Sequence, residues 1–373
     1  MSERAASPDL LYSDVEEDLR ASVRDLLTDR AEPSALIART ESAEPYDLKL
    51  WHTLAAELGA AGLMVPEDLG GHGASARETA LVAEELGRSV APVPFLGSAV
   101  LATSALLAAG PAAAEVLGRL ASGTVIGTLA VPLTTAPGAD FPAAVAVNAD
   151  GTLSGRVGAV ADASVAEVFV VPAVGPDGPG LYTVDATAAV VTELVSLDLT
   201  RRISDVVLDA APAARVADAG TAPAALRHAL TVGAGVLASE QVGITDWCLT
   251  ETVAYVKGRY QFGRPVGSFQ ALKHRLATLY LELVSARAAA RYAADTLAGG
   301  HEDTEVAVAV AAARCSPIAL HAAEEALQLH AGIGMTWEHP VHLYLKRAKS
   351  DELALGTAGK HRARLGRLVN LPA

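Results

Sequence analysis

The sequence predicts an α+β chain built in three successive blocks: an N-terminal helical domain over 1–125, a middle antiparallel β-barrel or sandwich over 126–213, and a C-terminal helical bundle over 214–373. Two observations predict it. Apolar residues recur at helical spacing to about residue 120 and again after about 214, whereas Gly, Pro and Asp cut the stretch between into short β-branched runs. No helical segment separates those runs, which favours antiparallel pairing over a parallel sheet with crossover helices.

Taken in order, Val15, Leu19, Val23, Leu26 and Leu27 fall on one helical face, and Ser13 with Glu16 forms a capping box ahead of it. The next helical stretch, LKLWHTLAAELGAAGLMVP, stops at Gly62 and Pro66. Gly70, Gly71 and Gly73 then supply a turn that needs positive φ. ARETALVAEELGRSV resumes a helix. The strand candidates are VIGTLAVPL, AAVAVNADGTLSG, AEVFVVPA, GLYTVDA and ISDVVLDAA, with NADG as a hairpin signal. Three long helices follow, over 223–257, 269–298 and 304–329, enough for a bundle.

A net charge of −14 disfavours a sequence-independent grip on nucleic acid. Cys248 and Cys315 lack CxxC or Cys/His company and read as buried structural thiols, so the cytoplasm is the expected compartment. The start MSERAASPDL is polar and acidic where a signal peptide is basic and then apolar. The expectation is a protein without a membrane anchor. No GxGxxG or GxxxxGK[ST] stands at a strand-to-helix junction, which removes the usual Rossmann and P-loop readings. His330, His339 and His342 lie close in sequence, but no ligand set at metal spacing accompanies them.

Two segments carry a resemblance. Residues 259–270 read RYQFGRPVGSFQ and residues 328–340 read QLHAGIGMTWEHP, with VPEDLGGHG at 65–73 as weaker support. In this order the chain resembles the acyl-CoA dehydrogenase family over essentially its whole length. That resemblance implies FAD at a subunit interface, an acyl-CoA substrate, a role in fatty-acid or other lipid metabolism and a dimer or tetramer. It assigns Arg259, Phe262 and Gln270 to the diphosphate and adenosine half of a neighbour's flavin, and Gln328, Gly332, Gly334 and Thr357 to cofactor contact as well. The chemistry suits the residue types, since an Arg fork matches a diphosphate and Phe covers a flat face. Ala331 stands where the family commonly has Gly.

The family reaction needs a carboxylate to take the α-proton of the thioester and hydrogen bonds to its oxygen. By resemblance the base precedes Gly-Thr near the C-terminus, and here that position is Leu355, ahead of Gly356 and Thr357. The backbone N–H of Leu355 is expected to remain a donor for the thioester oxygen. Members that carry the base on the first long helix of the C-terminal block would place it at Gly233. Glu240, two turns further along, is the displaced candidate, while Glu251 and Asp246 read as solvated or capping carboxylates. The middle block also departs, with LTTAPGADFPA in place of the flavin-facing loop and no Trp between Trp51 and Trp247. Arg362, Arg364 and Arg367 form a basic cluster suited to CoA phosphates or to solvent. Three readings follow: the base-lacking subunit of a heteromeric enzyme paired with a second acyl-CoA dehydrogenase-like chain, a homomeric enzyme with a displaced base or a divergent flavoenzyme acting on another substrate, or a catalytically silent acyl-CoA- or flavin-binding scaffold.

Overall fold

Helix α1 (Asp14–Arg30) starts at the expected capping box, where Ser13 N–H donates to Glu16 Oε2 at 2.7 Å and Glu16 N–H donates to Ser13 Oγ at 3.3 Å. The computed structural model describes residues 10–31 and 33–371, so the N-terminal stretch read as lacking a leader lies outside the described residues but for Leu10. Helices α2 (Pro33–Thr40), α3 (Leu48–His52), α4 (Ala76–Ser89), α5 (Thr103–Ala109) and α6 (Ala114–Ala121) complete the first block. Ser75 opens α4 with a second capping box to Glu78.

Strands β1 (Gly127–Leu129), β2 (Val145–Val147), β3 (Leu153–Ala161), β4 (Val168–Gly175), β5 (Gly178–Asp185), β6 (Ala189–Glu193), β7 (Ile203–Ala211) and β8 (Ala214–Ala217) form one sheet in the order β6-β7-β3-β2-β4-β5-β8, with β1 beside β4. The sheet is mixed. β1 and β2 both pair with β4 in parallel, which corrects the purely antiparallel expectation. Alternating runs reveal strands, but nothing in a run names its neighbour, and here the hairpins β2–β3 and β4–β5 lie side by side so that β2 meets β4.

The last block holds α7 (Ala222–Gly258), a small hairpin of β9 (Tyr260–Gln261) and β10 (Arg264–Pro265), then α8 (Gln270–Gly299), α9 (Thr304–Leu329), α10 (Val341–Leu353) and α11 (Ala358–Leu368). Helix α7 is apolar nearly all round and is buried along most of its length, as befits the central helix of a bundle. Its contact with α4 is backbone-close. A Cβ at Gly87 would meet the Glu240 carbonyl at 2.1 Å, and one at Gly243 would meet the Glu84 carbonyl at 1.9 Å. Helix α9 is long and apolar enough to cross a membrane by composition alone, yet most of its apolar window is buried inside the protein. Both cysteines are buried and free, and burial pushes the Cys315 thiol up to about 12.

Candidate functional site

The β9–β10 hairpin projects from the end of α7 and carries the first motif. Its tip is the two-residue loop Phe262–Gly263, with φ of 52° and 72°, the sign pattern of a tight hairpin turn. Phe262 is 91% exposed. Arg259 and Gln270 are exposed too, Gln270 as the first residue of α8, and Arg259 enters no ion pair among the described residues. The hairpin therefore offers a guanidinium fork, a flat ring and an amide on one projecting edge, a donor set that fits a dinucleotide's diphosphate and planar parts.

The second motif lies alongside. Tyr255 on α7 stacks on His330 with ring centroids 4.5 Å apart, and His330 meets His339 at 4.4 Å, which joins the two motif regions. His330 donates Nδ1–H to the Ala326 carbonyl at 2.7 Å, and burial holds it below its usual range. Gln328 is exposed near the end of α9, and Gly332 has open space around it. Gly334 has a packing reason of its own, because a Cβ there would lie 2.6 Å from the Leu327 carbonyl. Ala331 adopts φ 54°, the left-handed conformation that explains why glycine is the easier residue at this position. Among the described residues no His, Cys, Asp and Glu group is arranged to hold a metal ion.

The segment expected to receive the thioester is closed. Leu355 is 1% exposed, and its N–H donates to the Leu133 carbonyl at 2.7 Å. This corrects the expectation that the N–H remains free for a thioester oxygen: the loop after β1 takes it. The Leu355 carbonyl accepts from His361 Nε2 at 3.0 Å. A Cβ at Gly356 would come within 2.7 Å of Ala136 Cβ, so the same loop packs directly on the Gly-Thr segment. The Thr357 hydroxyl caps α11, accepting from Lys360 N–H at 3.4 Å. Gly233 faces this place from α7, where a Cβ would meet Leu101 Cδ2 at 2.5 Å and Leu355 Cδ1 at 3.0 Å. Both positions at which the family sets its base thus converge on one spot, and leucine side chains fill it.

Glu240 lies elsewhere, in a buried cluster where the three blocks meet. Its two oxygens accept from Arg347 Nη1 at 2.7 Å and Arg201 Nη2 at 2.6 Å. Arg201 also reaches Asp351 at 2.7 Å, and Arg347 reaches Asp198 at 2.8 Å and the Thr200 hydroxyl at 2.6 Å. Asp162 is close to this cluster and is held by the Tyr46 hydroxyl at 2.8 Å and Gly97 N–H at 3.1 Å. The two guanidinium groups hold Glu240 below the usual carboxylate range against its burial, whereas burial and the neighbouring Glu240 charge push Asp351 well above it. A carboxylate clamped by two guanidinium ions is a poor proton acceptor. Asp246 pairs with Arg88 and Arg287, an ion-pair role in place of the solvated or capping one expected.

Beside Leu355 a cavity of about 10 Å³, room for a single water, is lined by Gln241, Ser316, Asp351 and His361. Gln241 Oε1, Ser316 Oγ and Asp351 Oδ2 are buried without a protein partner there. Clefts of about 290 Å³ and 440 Å³ flank the loop after β1. The first is lined by Phe141 and Arg227, the second by Lys360, Arg364 and Arg367. Arg362 lies outside both, and Arg364 is tied to Glu305 at 3.1 Å.

Comparison with known proteins fits this geometry. The N-terminal domain of acyl-CoA dehydrogenases matches residues 13–124, and the C-terminal domain matches residues 223–369. The chain belongs to the acyl-CoA dehydrogenase family. It is 37% identical to acyl-CoA dehydrogenase IpdE2 of Mycobacterium tuberculosis over 88% of this chain and 89% of that protein. The Mycolicibacterium smegmatis IpdE2 is 36% identical over 95% and 98%. Among solved structures, a variant of the Tcur3481–Tcur3483 steroid ACAD superposes with a TM-score of 0.84 at 32% identity, covering 96% of this chain and 98% of that one. The ChsE4–ChsE5 complex of M. tuberculosis gives 0.86 at 28% identity, covering 98% and 100%. An FAD-dependent acyl-CoA dehydrogenase-type oxidoreductase is thus the functional class, with the helical, mixed-sheet and helical architecture that the family shares.

The leucine filling, the Leu133 carbonyl and the Arg201–Arg347 cluster were not read from sequence. Each joins residues far apart in the chain, and an isolated Leu or Arg in an apolar run carries no sign of its partner.

Proposed function

We propose that this chain is the partner subunit of a heteromeric acyl-CoA dehydrogenase. It presents Arg259, Phe262, Gln270 and Gln328, with Gly332 giving clearance, to a flavin seated on a second chain of the same family. That second chain supplies the catalytic carboxylate. The observation that carries the reading is a contrast: Arg259, Phe262 and Gln270 are exposed and Arg259 enters no ion pair among the described residues, while the segment expected to hold the thioester is packed with Leu101, Leu355 and the loop from Leu133 to Ala136.

When bound in such an assembly, FAD would supply the acceptor for the β-hydride of the acyl-CoA. The work of this chain is binding and orientation: Arg259 neutralises diphosphate charge, Phe262 covers a planar face, and Gln270 and Gln328 donate amide hydrogens. Glu240 has a structural part, since both its oxygens are spent on Arg201 and Arg347. Two of the similar solved proteins, ChsE4–ChsE5 and Tcur3481–Tcur3483, carry two-component names, which supports a two-chain enzyme here. We place the assembly in the cytoplasm, where free thiols such as Cys248 and Cys315 persist.

Flavin affinity of the assembled pair tests the reading. Arg259→Ala and Gln270→Ala in this chain are each expected to weaken FAD retention, about tenfold or more for the charged contact. Circular dichroism of the chain alone is expected to stay unchanged. Unaltered flavin retention in both variants would sink the proposal.

A further inference from the structure

Phe262 is an unusual residue for the tip of a two-residue hairpin. Positive φ at both central positions favours Asn and Gly, and a bulky side chain in the left-handed region is strained. Phe262 nevertheless sits there at φ 52° and is 91% exposed, so its own burial does not compensate the strain. Strained residues of this kind persist when their surroundings over-determine them, and they gather at functional sites.

The surroundings are short and specific. Phe262 meets Phe269 edge-on, with ring centroids 6.2 Å apart and planes at 85°. The guanidinium of Arg264 lies over the Phe269 ring, its Cζ 3.9 Å from the centroid. Val266 N–H closes the base of the hairpin on the Arg259 carbonyl at 2.8 Å. Arg264 and Phe262 thus both contact the Phe269 ring. The cation is exposed and enters no ion pair among the described residues, so the ring is its partner.

We propose that Arg264 is the positioning residue of the hairpin: through Phe269 it holds Phe262 in the raised, left-handed conformation that receives the neighbour's flavin. The proposal rests on the partner-subunit reading and adds a residue to it. Arg264 does not touch flavin itself; it sets the geometry in which Phe262 and Arg259 do.

Hydrogen exchange over residues 257–270 of the full chain, combined with FAD retention by the assembled pair, tests this. Arg264→Ala is expected to speed exchange of the hairpin amides about two- to fivefold, the loss of one exposed cation–ring contact, and to lower FAD retention. Arg264→Lys, which keeps a cation, is expected to restore part of both. Phe262→Asn suits the turn and is expected to leave exchange unchanged or slower, yet to lower FAD retention. Unchanged exchange in Arg264→Ala overturns the proposal, as does FAD retention that falls in Phe262→Asn but not in Arg264→Ala. Faster exchange in Arg264→Ala with normal FAD retention in both variants overturns the partner-subunit reading beneath it.

Discussion

Replacing Leu355 with glutamate is expected to destabilise the chain by about 3–5 kcal/mol and to leave it unable to oxidise an acyl-CoA. The side chain is 1% exposed and packs toward Gly233 and Leu101, so a carboxylate there loses its hydration without gaining a partner. Its N–H is already bonded to the Leu133 carbonyl, and the loop that carries Leu133 and Ala136 packs on Gly356. Restoring the family's residue therefore does not restore the family's site. Burial raises a carboxyl's pKa, so the folded state of this variant holds its proton to higher pH than the unfolded chain does. The deficit is then smallest below about pH 4 and grows as pH rises toward neutrality. Leu355→Met, which conserves volume, should cost less than about 1.5 kcal/mol. Urea unfolding at two pH values measures all of this, and a stable glutamate variant that bleaches flavin on addition of acyl-CoA would refute the closed-site account.

Arg347→Met should be as damaging, at about 3–5 kcal/mol, because it strips Asp198 of its guanidinium and leaves the buried Glu240 with Arg201 alone. The cluster sets the cations Arg201 and Arg347 against Glu240, Asp198, Asp351 and Asp162, an imbalance if every carboxyl is ionised. A proton on Asp351 eases it. Asp351 has one guanidinium contact, a second oxygen facing the small cavity, and a pKa raised by burial and by Glu240. The stabilisation from that proton is full below the unfolded carboxyl's range and fades as pH rises through the folded value. Asp351→Asn, which copies the protonated carboxyl, should cost only about 1 kcal/mol at neutral pH. Thermal or urea unfolding of the two variants checks the order. Equal losses would mean that Asp351 is charged and that the charge balance is wrong.

Much of the fold could be read along the chain because its causes are local. The Ser13–Glu16 box, the length of α7 and the full extent of α9 all follow from residues within a few turns of one another. The parallel pairing of β2 with β4 could not, since it depends on which hairpin comes to lie beside which. The motif residues Arg259, Phe262 and Gln270 stood out as a pattern, but their exposure and the Arg264–Phe269 support beneath Phe262 are matters of packing. Leu355 stood in sequence where the resemblance puts the base. Only the geometry shows that Gly233 and Leu355 share one filled spot and that Leu133 has taken the free N–H. Glu240 looked like a carboxylate within reach of the chemistry, and what removes it is a pair of arginines, one 39 residues before it and the other 107 after.

The most direct test is the flavin content of this chain purified alone and again after assembly with a second acyl-CoA dehydrogenase-type chain, read from the visible spectrum before and after anaerobic addition of acyl-CoA. The account predicts no flavin on the chain alone, and flavin in the pair that bleaches with substrate and is lost with Arg259→Ala in this chain. A stoichiometric flavin on the chain alone, bleached by acyl-CoA, would contradict it.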